Sequence, residues 1–511
     1  MTRSGPSDGG RYRAVLITIL VLAAGIGVSA ATRFPVFDDE ANAIANSSAD
    51  LSSILSRGLG RHRQFHPPLG EIVMHSWIGI TGSMRPAVLR IPAIAFWIAA
   101  LASLFWALAP IASAEACLAA VAAAALWPTH LLLPFSATWY SQAALLSVLS
   151  FGALLRAISA PSPTAARLAA VGAVAAIVAM AYTVFAWPFV VASELAAAGL
   201  IFGVGPLRRY ARALVGVGVF LALAVSPTIL AMIARVGPML HRQAGGGPLQ
   251  SIGAILGLLV GHSAPARVWI ACFVILAVAG LVVGNIGADR RCWSILAAGL
   301  LSLGLLALTN TLNDKRLLLG SLFFPASLGL RIGERRGRIG LILCALAACP
   351  AWLAWAGVTH LPWLFPRWQD PVSEVASLHV SGPKPRLLIT NEPAIAFSVA
   401  GMDGDRQLWQ IPSDGPTKAT SLRWWIGRPD QLVDAVDKQD RYTGIRLRTI
   451  DVILSPKMQI REVDICSAFR SAGWHVVVDQ AFGMDPLSQF RHSGGRSVRF
   501  HLIRLSRDAA P

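Results

Sequence analysis

The sequence predicts a polytopic α-helical membrane protein with about eleven transmembrane helices and a C-terminal extracytoplasmic α/β domain. Of its 511 residues, 55% are hydrophobic and only 14% are charged, against about 25% charged in an ordinary soluble protein. The apolar residues come in blocks of roughly 15–23, the length that crosses a bilayer. Beyond residue 360 the composition changes to short β-rich runs after a proline-rich linker. Disorder and a wholly soluble globule are therefore excluded.

The first apolar block runs from Ala14 to Ala31 and follows three arginines. Its length and the blocks after it favour an uncleaved first helix with a cytoplasmic N-terminus. The small residues at 29–31 leave a cleaved signal peptide as the alternative. The other ten predicted spans are 87–109, 114–132, 139–157, 166–181, 183–203, 213–232, 266–286, 291–309, 316–331 and 339–358.

The distribution of arginines sets the predicted orientation of these spans. Residues 1–359 contain 25 Lys and Arg against 11 Asp and Glu, and basic loops face the cytoplasm. Eleven passes place inside the loops that hold Arg208, Arg209, Arg212, Arg290, Arg291, Arg335, Arg336 and Arg338. The apolar run Leu69–Ile80 is too short to span, so it is predicted to be a helix lying on the outer surface. The C-terminal part is then outside as well.

Strands alternate with helices after the linker, which predicts a small α/β domain. The predicted domains are therefore 1–359, which is transmembrane and includes the first outer loop 33–86, and 360–511, which is extracytoplasmic. The predicted strands are Arg386–Thr390, Asp451–Leu454, Trp474–Val478 and Val498–Ile503, with helices at Asp430–Lys438 and Arg461–Ser471.

Several other classes of function find no support in the sequence. The net charge of +17 is concentrated among apolar spans and suits anionic lipid, and no basic–aromatic module points to nucleic acid. Six scattered cysteines without a CxxC pair suggest neither a zinc site nor a disulfide framework. No GxGxxG follows a strand, so a nucleotide site is unsupported.

The unusual polar residues converge on the outer face of the predicted topology. Carboxylates beside arginines at a lipid interface suit a reaction on a phosphate-bearing lipid, because cations hold the phosphate while a carboxylate takes a proton from an attacking hydroxyl. The residues concerned are Asp38, Asp39 and Glu40 (the acid trio) after the first span, Arg61, Arg63 and His66 later in that loop, Arg90 at the second span, and Arg316 near the tenth.

Two motifs of the first outer loop resemble a known superfamily. Phe37-Asp38-Asp39-Glu40-Ala41 is followed by His66-Pro67-Pro68-Leu69-Gly70, and then by Arg90-Ile91-Pro92-Ala93 at the second span. This order resembles the GT-C membrane glycosyltransferases, above all the protein O-mannosyltransferases, the lipid A aminoarabinose transferase and the bacterial galacturonosyltransferase-like family. The similar pattern covers about residues 14–160. The stretch 135–142 departs from many relatives because it has no charge.

The resemblance implies an enzyme, a polyprenyl-phosphate-sugar-dependent glycosyltransferase of the cell envelope that acts on the non-cytoplasmic face and usually inverts the anomeric centre. By that likeness Asp39 is the general base and Glu40 supports or orients it. His66 and Arg90 lie near the donor phosphate, and Arg61, Arg63 and Arg316 are added as substrate-binding residues on charge. Membrane lipid and an envelope glycan, lipid or protein acceptor are the expected partners. The expected location is the bacterial cytoplasmic (inner) membrane, with multiple passes.

The residues leave several alternatives open. Asp38 competes with Asp39 as the base. Two acids and a histidine in one loop are compatible with a divalent cation, although their spacing matches no strong metal motif and no cofactor is certain. A transporter or flippase for a lipid-linked or small polar solute is the alternative function, with Glu194 as the main mid-span charge. A non-catalytic assembly factor is the third.

Overall fold

A computed structural model describes the helical N-terminal part and a small sheet near the C-terminus. The described residues are 6–33, 38–59, 67–83, 85–127, 130, 136–203, 220, 223–227, 290–308, 322–334, 386–390, 433, 449–454, 462–483 and 499–507. The chain separates into a helical unit, which comprises 1–32, 52–73 and 90–360, and a second unit, which comprises 33–51, 74–89 and 361–511. The predicted domain boundary near residue 360 remains a prediction.

Eight described helices coincide with predicted spans. Four helical stretches are long and apolar enough to cross a membrane, Gly10–Ser29, Pro86–Leu108, Tyr140–Ser159 and Pro163–Ala181, and two shorter apolar helices accompany them. The predicted spans 266–286 and 339–358 and most of 213–232 lie outside the described residues, so the count of eleven remains a prediction. The eight are α1 (Pro6–Arg33), α6 (Ile91–Leu108), α7 (Ala114–Leu126), α8 (Tyr140–Ser159), α9 (Pro163–Ala181), α10 (Trp187–Phe202), α11 (Arg290–Leu308) and α12 (Phe323–Glu334).

Local sequence sets the ends of these helices. Ser113 and Ser162 cap α7 and α9, because each side chain accepts a hydrogen bond from the backbone N–H three residues on. Helix α7 ends at Leu126, which is shorter than the predicted span 114–132. The residue after it, Trp127, is extended because it precedes Pro128.

Small residues let the helices of the first unit approach closely. A Cβ added to Gly152 of α8 would lie 2.7 Å from the Ala107 Cβ of α6. A Cβ added to Gly329 of α12 would lie 2.1 Å from the Cα of Ala120 in α7. Such close backbone contacts are typical of helix packing in membranes. Trp97 and Leu101 of α6 are fully buried in this packing.

Four shorter helices lie between α1 and α6 in the described part of the chain. They are α2 (Asp38–Ser47), α3 (Leu51–Leu59), α4 (Pro68–Thr81) and α5 (Pro86–Leu89). The short helix predicted over Leu69–Ile80 is confirmed as α4. It begins at a proline, which suits the first helical turn. It is followed by Gly82, whose φ of +57° a side chain would disfavour.

The C-terminal residues form a four-stranded mixed sheet. The strands are β1 (Arg386–Thr390), β2 (Thr449–Leu454), β3 (His475–Gly483) and β4 (Arg499–Ser506), in the order β1-β2-β4-β3. Strands β1 and β2 are parallel, and the other two pairs are antiparallel. Helix α13 (Glu462–Ser471) precedes β3. All four predicted strands and the helix predicted at Arg461–Ser471 are present. The helix predicted at Asp430–Lys438 lies outside the described residues apart from residue 433.

Buried contacts stabilise this sheet. Phe469 of α13 packs edge-on against Trp474, with ring centroids 5.8 Å apart, and both are buried. Asp451 of β2 is fully buried opposite Arg504 of β4. Arg504 donates from Nε to Oδ1 at 2.7 Å and from an Nη to Oδ2 at 3.0 Å. This pairing raises the pKa of the Arg504 guanidinium.

Candidate functional site in the first outer loop

The acid trio opens helix α2. Asp38 is the first residue of that helix and Asp39 and Glu40 are the next two, where the helix dipole favours negative charge. Four residues separate this turn from the end of α1 at Arg33. The Glu40 side chain is fully buried. The trio therefore follows directly on a helix that is long enough to cross a membrane.

Helix α4 contributes two side chains that hold its neighbours within the second unit. His75 Nδ1 lies 3.0 Å from the Ser47 carbonyl oxygen, at the last residue of α2, and a protonated Nδ1 donates there. Trp77 Nε1 donates to the Val88 carbonyl at 2.9 Å. The sequence singled out neither residue. Their position on one apolar helix beside the acidic loop is the only signal that it offered.

Arg90 is completely buried where α6 begins. Its Nη1 donates to the carbonyl of Ala31 at 2.9 Å, in the last turn of α1. A guanidinium at this position satisfies a carbonyl that has no partner within its own helix. Arg90, which the sequence predicts to bind phosphate, therefore has a structural contact within the protein. This contact holds the end of α1, the helix that precedes the acid trio in the sequence.

The His-Pro-Pro-Leu-Gly motif docks the start of α4. Leu69 N–H donates to the Tyr182 carbonyl at 2.8 Å, in the turn between α9 and α10. A Cβ added to Gly70 would lie 2.5 Å from the Cβ of Trp139, the residue before α8. Pro67 and Pro68 are buried. Glycine at position 70 is therefore required by close packing, and the motif is structural as well as a candidate for chemistry.

An ion pair that the sequence did not suggest joins α3 to α4. Arg57 Nη2 lies 3.9 Å from Glu71 Oε2, and the Glu71 side chain is only 3% exposed. Gly58 packs against Pro68 at the same place, since an added Cβ would lie 2.7 Å from the Pro68 Cβ. The signal available in the sequence was an acid directly after the motif and a basic residue fourteen positions before it.

His130, which lies near the end of the predicted span 114–132, is a core residue. It is fully buried, its Nδ1 lies 3.1 Å from the Ala124 carbonyl, and its ring centroid is 5.4 Å from that of Trp97. The ring nitrogen donates to a carbonyl in the last turn of α7. This contact ends the helix in the way a C-terminal cap does.

The remaining predicted site residues are outside the described residues. Arg61, Arg63 and His66 fall in 60–66, and Arg316 falls in 309–321. The side chains of Asp38 and Asp39 are likewise outside what the structure describes. Among the described residues, no group of three His, Cys, Asp or Glu is arranged to hold a metal ion.

A separate set of contacts joins the helix ends that the sequence predicts to be cytoplasmic. Tyr12, near the start of α1, donates to Glu115 at the start of α7. Arg291, at the start of α11, donates to the Ile111 carbonyl between α6 and α7. Arg156 of α8 stacks over Trp106 of α6 at 3.8 Å. The predicted inner ends therefore meet one another, as they must if the passes alternate in direction.

Comparison with known proteins adds a structural likeness. No family model matches the chain, and a search of curated proteins finds no match. Among solved structures, the chain is similar to ArnT from Cupriavidus metallidurans bound to undecaprenyl phosphate, with 13% identity, 99% of each chain covered and a TM-score of 0.43.

Two further structures show the same likeness. The archaeal oligosaccharyltransferase AglB from Archaeoglobus fulgidus, in complex with an inhibitory peptide and a dolichol-phosphate, is 12% identical over 94% of this chain and 74% of its own, with a TM-score of 0.45. The mycobacterial arabinofuranosyltransferase AftD is 14% identical over 98% of this chain and 42% of its own, with a TM-score of 0.46.

Proposed function

We propose that this protein is a membrane glycosyltransferase that moves a sugar from a polyprenyl-phosphate donor to a hydroxyl acceptor on the non-cytoplasmic face. The single observation that carries the proposal is the acid trio at the start of α2, four residues beyond a helix of membrane-spanning length. A base held at the membrane surface can reach a donor whose lipid tail stays in the bilayer. The order of the motifs along this loop supports the same reaction.

In the proposed mechanism Asp39 removes the proton from the acceptor hydroxyl as that oxygen attacks the anomeric carbon. The bond from this carbon to the phosphate oxygen breaks, and the polyprenyl phosphate leaves with the electron pair. Attack from the face opposite the phosphate inverts the anomeric centre. Glu40, which is fully buried, orients the turn that carries the base instead of contacting substrate.

Cations are needed in this scheme because negative charge grows on the leaving phosphate. Arg61, Arg63, His66 and Arg316 are the proposed ligands of that phosphate. Arg90 is proposed to contribute its positive charge from its buried position at the start of α6. A divalent cation held by the acids and His66 remains compatible with the scheme, although no step requires one.

The proposal also assigns location and partners. The chain is an integral membrane protein, and we place it in the bacterial inner membrane with the C-terminal residues outside the cytoplasm. The donor is a polyprenyl-phosphate sugar, and the acceptor is an envelope glycan, lipid or protein. The structural neighbours with bound undecaprenyl phosphate and dolichol-phosphate carry lipids of the proposed donor class.

The decisive experiment replaces the two aspartates one at a time. Asp39→Asn should reduce sugar transfer by about 10²–10⁴-fold, the usual contribution of a positioned base, while the protein still inserts into membranes. Asp38→Asn is the matched control and should retain most of the activity. The readout is mass spectrometry of envelope glycans from a deletion strain complemented with each variant.

The outcomes separate the alternatives that the sequence left open. Full transfer by Asp39→Asn with loss in Asp38→Asn would move the base to Asp38. Full transfer by both variants would contradict the proposed catalytic role of the trio. Solute uptake by vesicles that contain the purified protein, with no glycan missing from the deletion strain, would support the transporter instead.

A further inference from the structure

A buried carboxyl lies inside the helical unit, on helices that supply no proposed catalytic group. Glu194 of α10 is 1% exposed. Ser147 Oγ of α8 lies 3.0 Å from Glu194 Oε1. Ser150 Oγ, also of α8, lies 2.9 Å from Oε1 and 2.7 Å from Oε2. Both serines are buried. We name these three residues the carboxyl clamp.

The titratable side chains on the helices packed against α10 lie near helix ends, whereas Glu194 is in the middle of its helix. Arg156 of α8 stacks on Trp106, and Arg291 of α11 donates to Ile111. The others on the described neighbours are Tyr140 of α8, Arg167 of α9, and Arg290 and Cys292 of α11. Within the described part of the chain, the carboxyl is hydrogen-bonded to serine hydroxyls alone. The O···O separations of 2.7–3.0 Å are ordinary hydrogen-bond distances.

The hydrogen atoms available decide the charge of the carboxyl. Ser150 has one hydroxyl proton, yet its Oγ lies 2.9 Å from the Ser147 carbonyl oxygen as well as near both carboxyl oxygens. Among the residues that the structure describes, a carboxylate would receive at most one hydrogen from each serine and would meet no cation, which is poor compensation for a buried charge. A protonated carboxyl completes a ring instead. Glu194 donates to Ser150, Ser150 to the Ser147 carbonyl, and Ser147 to Glu194.

We propose that Glu194 is protonated at neutral pH and closes a cyclic hydrogen-bond network that fastens α10 to α8. The ligand of this site is a proton. Its effect is mechanical, because it joins the two helices through three side chains. The site is independent of the acid trio, so it stands or falls separately from the proposed glycosyl transfer.

Infrared difference spectroscopy tests the protonation state directly. The full-length protein and Glu194→Gln would be compared in lipid nanodiscs at neutral pH. Wild type should show a carboxylic acid C=O band that Glu194→Gln loses. Glu115→Gln is the matched control; since Glu115 is exposed at the start of α7, its difference spectrum should show carboxylate bands. Carboxylate bands in the Glu194→Gln difference would overturn the proposal.

Thermal unfolding tests the clamp. A glutamine has the same shape, can donate to Ser150 from its amide N–H and can accept from Ser147 at its amide oxygen. Glu194→Gln should therefore unfold at the wild-type Tm, whereas Glu194→Ala should unfold at a lower Tm. Equal Tm values for the Ala and Gln variants would overturn the clamp. Failure of Glu194→Gln to accumulate in membranes, while Ser147→Ala and Ser150→Ala accumulate, would show that a charge is needed and would also overturn it.

Discussion

At the scale of single residues, Arg90 has a structural contact and is also a proposed contributor of positive charge to the reaction. Arg90 has no exposed surface, and one of its nitrogens donates to the Ala31 carbonyl. A guanidinium has five N–H donors in a planar fork, so it can hold more than one acceptor at a time. We therefore expect Arg90 to fix α1 whether or not it also meets the donor phosphate.

Replacing Arg90 separates these two roles. Arg90→Met should lower the free energy of unfolding by about 1–3 kcal/mol, because the buried Ala31 carbonyl loses a donor. Arg90→Lys keeps the charge but not the fork. If Arg90 also binds the phosphate, Arg90→Lys should raise the KM for the donor in addition to lowering Tm. A lowered Tm with an unchanged donor KM would leave Arg90 as a positioning residue only.

Arg504 holds a buried charge in the C-terminal sheet. Arg504→Ala should lower the free energy of unfolding of the sheet by about 3–5 kcal/mol, because Asp451 then stays buried without its cation. The Arg504→Ala/Asp451→Asn double variant should recover part of this loss, since the stranded charge is gone. Chemical denaturation followed by hydrogen exchange of the backbone amides in β2 and β4 measures both. Equal stability of the single variant and wild type would contradict the role given to this pair.

At the scale of helices and strands, the sequence predicted α4 almost to the residue. The apolar run is bounded by two prolines and by Gly82, and such signals are local. The strands were predicted for the same reason, since their β-branched runs stand between turn residues. Helix α7 was predicted too long because the apolar pattern continues past Pro128, whereas the helix ends at Leu126.

Contacts between distant segments were not predictable from local patterns. The ion pair of Arg57 with Glu71, the bond from His75 to Ser47 and the packing of Gly70 on Trp139 all depend on how helices meet. A single sequence carries periodicity and turn signals, but it does not say which helix faces which. For the same reason Glu194 was recognisable as an unusual charge while its serine partners were not.

Helix α4 supplies a matched pair of glycines. Gly70→Ala should lower the free energy of unfolding by about 1–3 kcal/mol, because the new methyl overlaps Trp139 and forces a backbone shift. Gly79→Ala on the same helix meets nothing within 4 Å and should be neutral or slightly stabilising. Thermal unfolding and limited proteolysis of the first outer loop measure the difference. Equal behaviour of the two variants would contradict the docking of α4 through Gly70.

At the scale of the whole molecule, these contacts within the helical unit join helix ends that are predicted to lie on the same side of the membrane. Tyr12 meets Glu115 and Arg291 meets Ile111, all at predicted inner ends. Leu69 meets Tyr182, both at predicted outer ends. If one of these helices crossed in the other direction, a predicted inner end would contact a predicted outer end. The structure thus agrees with the alternation of the described passes, and the arginine-rich loops are the reason to place the first set inside.

Cysteine labelling in intact cells decides which side is which. The native cysteines would first be replaced, and single cysteines introduced at two exposed positions, Ser56→Cys in α3 and Thr164→Cys in α9. A membrane-impermeant maleimide should label Ser56→Cys in intact cells and Thr164→Cys only after permeabilisation. The outer side of the membrane is where the acid trio must lie to meet a donor and an extracytoplasmic acceptor. The acid trio and α3 lie in the same loop, so the reverse labelling pattern would put the trio on the cytoplasmic side. That result would contradict the proposed reaction on the non-cytoplasmic face.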